Sequence, residues 1–158
     1  LMARYPGGAV VFLGAPRDSA RIGALVESLK SKGQGGHPMS TLGHRMSQVC
    51  AATDFSLDEL SACIKQLDLY IGVDTGPIYI AHALGVPLVD ITGPVDPWEQ
   101  PPHDSKSVCV MPPGPFYPSS FVLKRPGPKE AHARARDAIT VEMVFEAARE
   151  LLRFSHDV

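Results

Sequence analysis

Several functional classes leave marks that this sequence does not carry. Its 158 residues include only three cysteines, Cys50, Cys63 and Cys109. An odd count without metal-type spacing argues against a disulfide framework or a zinc site, and a reduced, cytoplasmic setting is expected. Basic charge is not in excess, since 15 Lys and Arg face 17 Asp and Glu and the pI is near 6.3. Nucleic acid is therefore not expected as the main partner. No apolar run approaches the ~20 residues that a membrane-spanning helix needs, and Leu1-Met2-Ala3 does not begin a secretory signal. No G-x-G-x-x-G follows the first apolar run, which speaks against a dinucleotide cofactor.

Apolar residues make up 44% of the chain and charged residues 20%, ordinary values for a globular protein. The length suits a single domain with a substantial core, so residues 1–158 are expected to form one unit. Fifteen prolines and fourteen glycines gather in turns and in the stretch after Met111.

Ala9–Leu13 (AVVFL) is a continuous apolar run and predicts a buried strand. Gly14-Ala15-Pro16 turns the chain, and Asp18 or Ser19 can cap the helix whose apolar face is Ile22, Leu25, Val26 and Leu29. Residues 34–48 are rich in Gly, Ser and His without a period and predict a loop. Val49–Ala52 predicts a short strand. Ser56-Leu57-Asp58-Glu59 has the form of a capping box, and the helix after it buries Leu57, Leu60, Cys63, Ile64 and Leu67.

The stretch from Leu67 to Pro97 organises the rest. Leu69–Gly72 predicts a buried parallel strand, and Asp74-Thr75-Gly76-Pro77 forms the turn into a helix. Thr75 or Gly76 suits the cap, Pro77 suits the first turn, and Gly85 is placed as a C′ stop. Val86–Ile91 predicts the next buried strand, closed by Thr92-Gly93-Pro94. Successive strand–helix steps predict an α/β fold: a Rossmann-like, mostly parallel sheet with helices on both faces. Val108–Val110 suits an edge strand, while residues 111–130 hold six prolines between Pro112 and Pro128 and predict a Pro-rich loop. Thr140 caps a last helix with a stripe of Val141, Val144, Phe145, Ala148, Leu151 and Leu152.

Two adjacent turns at the carboxyl edge of a parallel sheet make a ligand crevice, and a helix amino end beside them favours an anion. Gly76 brings no side chain, so a diphosphate can approach the amides there; the plainer reading is a tight turn feeding a buried helix. Asp74 either binds hydroxyls of a ligand or caps the helix. Gly93, Pro94 and Asp96 form the second turn, in which Asp96 either lines the crevice or serves the turn alone. Trp98 beyond it covers the sheet edge or stacks on a base. Lys124, Arg125, Lys129, Arg134 and Arg136 make a basic segment, read as a solvated surface or as an attractor for a phosphorylated lipid.

D-T-G-P-x-x-x-A-x-A-L-G-V-P followed by G-P-x-D-P resembles the sugar-donor half of heptosyltransferase-like enzymes, glycosyltransferase family 9. The resemblance is specific over Leu57–Pro97 and fainter over Val10–Leu29 and Ala138–Leu152. It implies one Rossmann-like half of a two-half, GT-B type inverting transferase of lipopolysaccharide or cell-surface glycan synthesis. The donor it implies is a nucleotide-sugar, ADP-heptose foremost, bound by Asp74, Thr75, Gly76, Pro77, Tyr79, Gly93 and Asp96. Metal and cofactor are not implied. Where the family carries a His two residues past the proline, this chain has Tyr79, and His82 lies three residues on. The half that supplies the catalytic base and binds a glycan or lipid-linked acceptor has no counterpart here, nor has a phosphate-binding Lys. The expectation is thus a piece of a two-domain enzyme, inactive by itself, whose full protein associates peripherally with the cytoplasmic membrane face. A non-catalytic nucleotide-binding or interaction module on the same fold is the alternative.

Overall fold

The structure, a computed structural model, describes residues 8–33, 48–92, 102–114 and 129–154. By its internal contacts the chain divides into two compact units, Leu1–Glu59 and Leu60–Val158.

In the first unit, β1 (Ala9–Leu13) pairs in parallel with β2 (Gln48–Ala52), in a register that sets Val10 opposite Val49 and Leu13 opposite Ala52. The connection runs through a 3-10 turn at Pro16–Asp18 and α1 (Ser19–Gly33). The Asp18 carboxylate accepts the Ala15 amide at 3.1 Å and holds this turn closed. A β-carbon at Gly14 would stand 2.4 Å from Cδ1 of Ile22, so the tip of that α1 side chain would have to turn aside. Val26 and Val49 are the buried residues that α1 and β2 contribute.

The capping box forms as the sequence predicts. The Ser56 amide and hydroxyl both donate to Glu59 Oε2, at 2.8 and 2.7 Å, and the Glu59 amide donates to Ser56 Oγ at 3.3 Å. These bonds favour the ionised Glu59 carboxyl and lower its pKa. The helix they start, α2 (Leu57–Lys65), buries Ile64 completely, while Leu57 at its first turn is exposed.

The second unit is built on three parallel strands in the order β3 (Tyr70–Val73), β4 (Leu88–Ile91), β5 (Ser107–Val110). Between β3 and β4 lies α3 (Gly76–Ala83), which ends in a Schellman turn. Gly85 takes φ +71°, its amide donates to His82 O at 2.9 Å, and the Val86 amide donates to Ala81 O at 3.0 Å. The last helices are α4 (Lys129–Asp137) and α5 (Val141–Phe154), and Thr140 caps α5 through a 3.3 Å bond from the Met143 amide. Val89 and Val110 pack against Ala147, Ala148 and Leu151 of α5. Strand residues alternate faces, so Leu88 and Asp90 point to the opposite face, where α3 contributes the fully buried Ile78 and Ala81.

Two expectations need correction. The strand expected at Leu69–Gly72 runs Tyr70–Val73, and it is not buried throughout, since Ile71 and Val73 are exposed. It is an outer strand of its sheet. Among the described residues only β4 has strands on both sides, and Leu88, Val89 and Asp90 there are fully buried. An apolar run records suitability for burial, not how many faces are covered. The Pro-rich loop expected over 111–130 also ends earlier, because α4 begins at Lys129. Ala, Glu and Arg are strong helix formers, and the helix has Glu130 in its first turn and Arg134 and Arg136 in its last. Residues 34–47 and 115–128 of the expected loops, and the 93–98 turn, lie outside the described residues.

Candidate functional site

The Asp74-Thr75-Gly76-Pro77 turn lies at the carboxyl end of β3 and opens α3. Thr75 is the N-cap, with an extended backbone at φ −148° and ψ 171°. Its hydroxyl donates to Val73 O at 3.1 Å instead of accepting an amide of the helix. The Ile78 amide bonds the Thr75 carbonyl at 3.0 Å, and Pro77 has no amide hydrogen. The Gly76 amide, at the first helical position, has no partner within the helix. A β-carbon on Gly76 would meet no atom of the described residues within 4 Å, so packing among them does not demand glycine here. Thr75 and Gly76 are exposed, and Asp74 and Pro77 are half-buried. The positive end of α3 thus faces open space beside a carboxylate, an arrangement that can receive an anion with attached hydroxyl groups.

Tyr79 joins this turn directly. Its hydroxyl donates to Asp74 Oδ1 at 3.2 Å. Burial, the Asp74 charge and that bond all disfavour the phenolate and raise its pKa. His82 is not part of the turn. Its Nδ1 stands 3.3 Å from Asp104 Oδ2, in the segment before β5, without the geometry of a hydrogen bond. Asp104 is itself held by the Ser107 hydroxyl at 2.6 Å and the Lys106 amide at 2.8 Å, which lower its pKa. Lys106 sends its ammonium to Gly85 O at 3.2 Å, at the negative end of α3 and not at the anion-receiving end.

Of the site residues expected from sequence, Asp74, Thr75, Gly76, Pro77 and Tyr79 come together, while Gly93 and Asp96 lie outside the described residues. The neighbouring residue Thr92 is described and buried, and its amide bonds Val110 O at 3.1 Å.

Sequence reasoning passed over Asp90. Its side chain is completely buried, and Oδ1 has no hydrogen-bond partner. Oδ2 has only the Thr92 hydroxyl, at 3.4 Å. Burial first, and the charge of Asp74 second, push its carboxyl up to about 6, against a smaller opposing effect of Thr92. In the ladder Asp90 lies between Gly72 of β3 and Cys109 of β5. Gly72 is kept without a side chain by Tyr70, whose ring carbon Cε1 would stand 2.6 Å from a β-carbon there. Burial and the Asp90 charge also raise the Tyr70 phenol and the Cys109 thiol. The sequence signal was available: Asp90 is the one charged residue in the run Val86–Ile91.

Comparison with known proteins bears on the whole arrangement. The profile of glycosyltransferase family 9 (heptosyltransferase) matches residues 3–119, well over half of the chain. Among solved structures the chain is similar to a glycosyl transferase family 9 protein from Veillonella parvula, at 22% identity and a TM-score of 0.59, covering 90% of this chain and 36% of that one. It is also similar to the ADP-heptose lps heptosyltransferase II of E. coli, at 19% identity and a TM-score of 0.63, covering 93% of this chain and 37% of that one. The chain therefore spans little more than a third of the length of these relatives. No curated protein matches the sequence.

Proposed function

The chain belongs to glycosyltransferase family 9, the heptosyltransferases, and from that premise we propose that it forms the nucleotide-sugar-binding part of a heptosyltransferase-like enzyme, with ADP-heptose as donor. The observation that carries this reading is the amino end of α3 beside Asp74, where no atom of the described residues comes within 4 Å of a β-carbon at Gly76. The diphosphate is received at Gly76 and Thr75, where the helix dipole and the free amide favour negative charge. Asp74 accepts hydroxyls of the donor, and Tyr79 holds its Oδ1 in place. Gly93 and Asp96, which lie outside the described residues, belong to the same reading as donor-binding residues of the second turn.

In the transfer this implies, an acceptor oxygen bonds to the anomeric carbon while the bond from that carbon to the diphosphate breaks. The nucleoside diphosphate leaves with the bonding electron pair. The charge it gains is stabilised by the same dipole and amide that bound it, and that is where this part of the enzyme lowers the barrier. The acceptor's proton goes to a base outside this site, on the other half of a two-half enzyme that also binds a glycan or lipid-linked acceptor at the cytoplasmic membrane face. Neither half transfers sugar alone, because donor and acceptor must be held in line.

A second reading, a nucleotide-binding or interaction module without catalysis, is favoured by the Tyr79 hydroxyl already engaging Asp74 Oδ1 at 3.2 Å. Calorimetric titration with ADP, UDP, GDP and CDP separates the two. The donor reading expects selective binding of ADP that Asp74→Ala and Gly76→Val abolish. No described residue crowds a β-carbon at Gly76, so loss of binding by a Gly76→Val protein that melts like wild type reports the ligand. Flat traces from folded wild-type protein refute the donor reading.

A further inference from the structure

Asp90 is a buried group for which the donor site as drawn has no use. A carboxyl with no exposed surface and one unpartnered oxygen is costly to keep ionised, and burial without a partner drives such groups to the neutral form. Among the described titratable groups that face it, the charge of Asp74 makes ionisation harder, while the neutral Tyr70, Tyr79 and Cys109 side chains supply no cation to offset it. Tyr70 faces it from β3, Asp74 from the turn after β3, Tyr79 from α3 and Cys109 from β5. Helix α5 meets the other face of β4 through Ala147, Ala148 and Leu151, and no described cation acts on Asp90. Among the described residues the Thr92 hydroxyl alone helps the ionised form.

Resting on the donor reading above, we propose that Asp90 is a positioning residue that takes up one proton when the donor diphosphate binds at the amino end of α3, so that donor affinity is set by pH. The negative charge of Asp74 already reaches Asp90 from that turn. A diphosphate arriving at the same turn adds charge of the same sign, and the carboxylate responds by accepting a proton from solvent. No bond other than this O–H forms. The neutral acid then removes one negative charge from beneath the bound anion. Its Oδ1, which has no donor to accept from, also becomes able to carry the hydrogen. A carboxyl that titrates near 6 is poised to make this change close to neutral pH.

The test is calorimetric titration of the full chain with ADP-glucose, whose diphosphate diester has no proton of its own to exchange near neutrality. It is run from about pH 5.5 to about pH 8, in buffers of different ionisation enthalpy, on wild type and Asp90→Asn. Each tenfold weakening corresponds to one pH unit by which the bound anion raises Asp90. The expected result is wild-type affinity about three- to tenfold weaker at the alkaline end, with net proton uptake between, and a flat profile without uptake in Asp90→Asn. Equal slopes and equal uptake in both proteins overturn the linkage and leave the donor reading standing. No binding of ADP-glucose by wild type at any pH overturns the donor reading and the linkage with it. Should Asp90→Asn fail to fold, the carbon-13 shift of the Asp90 carboxyl decides on wild type. Its titration midpoint rises on adding ADP-glucose if the proposal holds, and stays in place if it does not.

Discussion

Replacing Gly72 by alanine puts the packing account of the β3 edge at risk. The added β-carbon would stand 2.6 Å from Cε1, 3.0 Å from Oη and 3.1 Å from Cζ of Tyr70. Carbon atoms rest comfortably at about 3.5–4.0 Å, so the ring must retreat by roughly 1 Å. Tyr70 is half-buried and its backbone is fixed by a 2.8 Å bond to Pro87 O, which leaves rotation of the side chain as the outlet. Overpacking of this kind costs about 1–3 kcal/mol. Loss of glycine's freedom in the unfolded chain returns about 0.4–1 kcal/mol. The net expectation is about 1–2 kcal/mol of destabilisation. With a urea slope of about 2 kcal/mol per molar, the midpoint falls by about 0.5–1 M at unchanged slope. Repeating Gly72→Ala in a Tyr70→Ala background isolates the contact, because there the same change is expected to be neutral or mildly stabilising. An equal midpoint drop in both backgrounds refutes the collision and places the cost in the backbone.

Asp90 makes a separate prediction about folding without ligand. Its folded-state pKa of about 6 lies above the ordinary 3.8, so the folded chain holds a proton that the unfolded chain releases, and this contribution is complete below about 3.8 and lost as pH rises through 6. Asp90→Asn should therefore flatten the decline in melting temperature over that range. Above neutrality it should be more stable than wild type by about 1–2 kcal/mol, a figure reduced for screening by water near the exposed turn; a variant whose profile parallels wild type refutes the assignment. Gly85→Ala forces a β-carbon into the left-handed region at φ +71° and should cost about 1–2 kcal/mol by thermal melt. An unchanged melt would show that the Schellman turn relaxes without penalty.

Local rules carried much of the fold. Ser56 and Glu59 at capping spacing, Thr140 before an amphipathic run and Gly85 after one each specify a helix end through bonds within a few residues, and all three ends form as read. The parallel strands Ala9–Leu13, Leu88–Ile91 and Ser107–Val110 were visible, to within two residues, as apolar runs between turn residues. Exposure at β3 was not visible, because it depends on which strand lies beside it, and strand order is not a local property. α4 was missed for a different reason. Its charges suggested a solvated segment, while its alanines and arginines favour a helix.

The candidate site was legible only where its residues follow chain order. Asp74, Thr75, Gly76 and Pro77 are consecutive, so a strand end, a cap and a helix start place them together without knowledge of the rest. Asp90 depends on the ladder. Its sequence neighbours mark a buried strand, and in that pattern a single acid reads as an exception. What gives it meaning is register: Gly72 opposite on one side, Cys109 opposite on the other, and Asp74 two residues beyond Gly72 at the end of the neighbouring strand. Asp74 and Asp90 are sixteen positions apart in the chain, linked by α3 and its Schellman turn, yet the charge of one raises the pKa of the other. That coupling exists because a parallel crossover returns the chain to the same edge of the sheet. An acid one residue earlier or later in β4 would point to the α5 face, among Ala147, Ala148 and Leu151, and would have no electrostatic access to the turn.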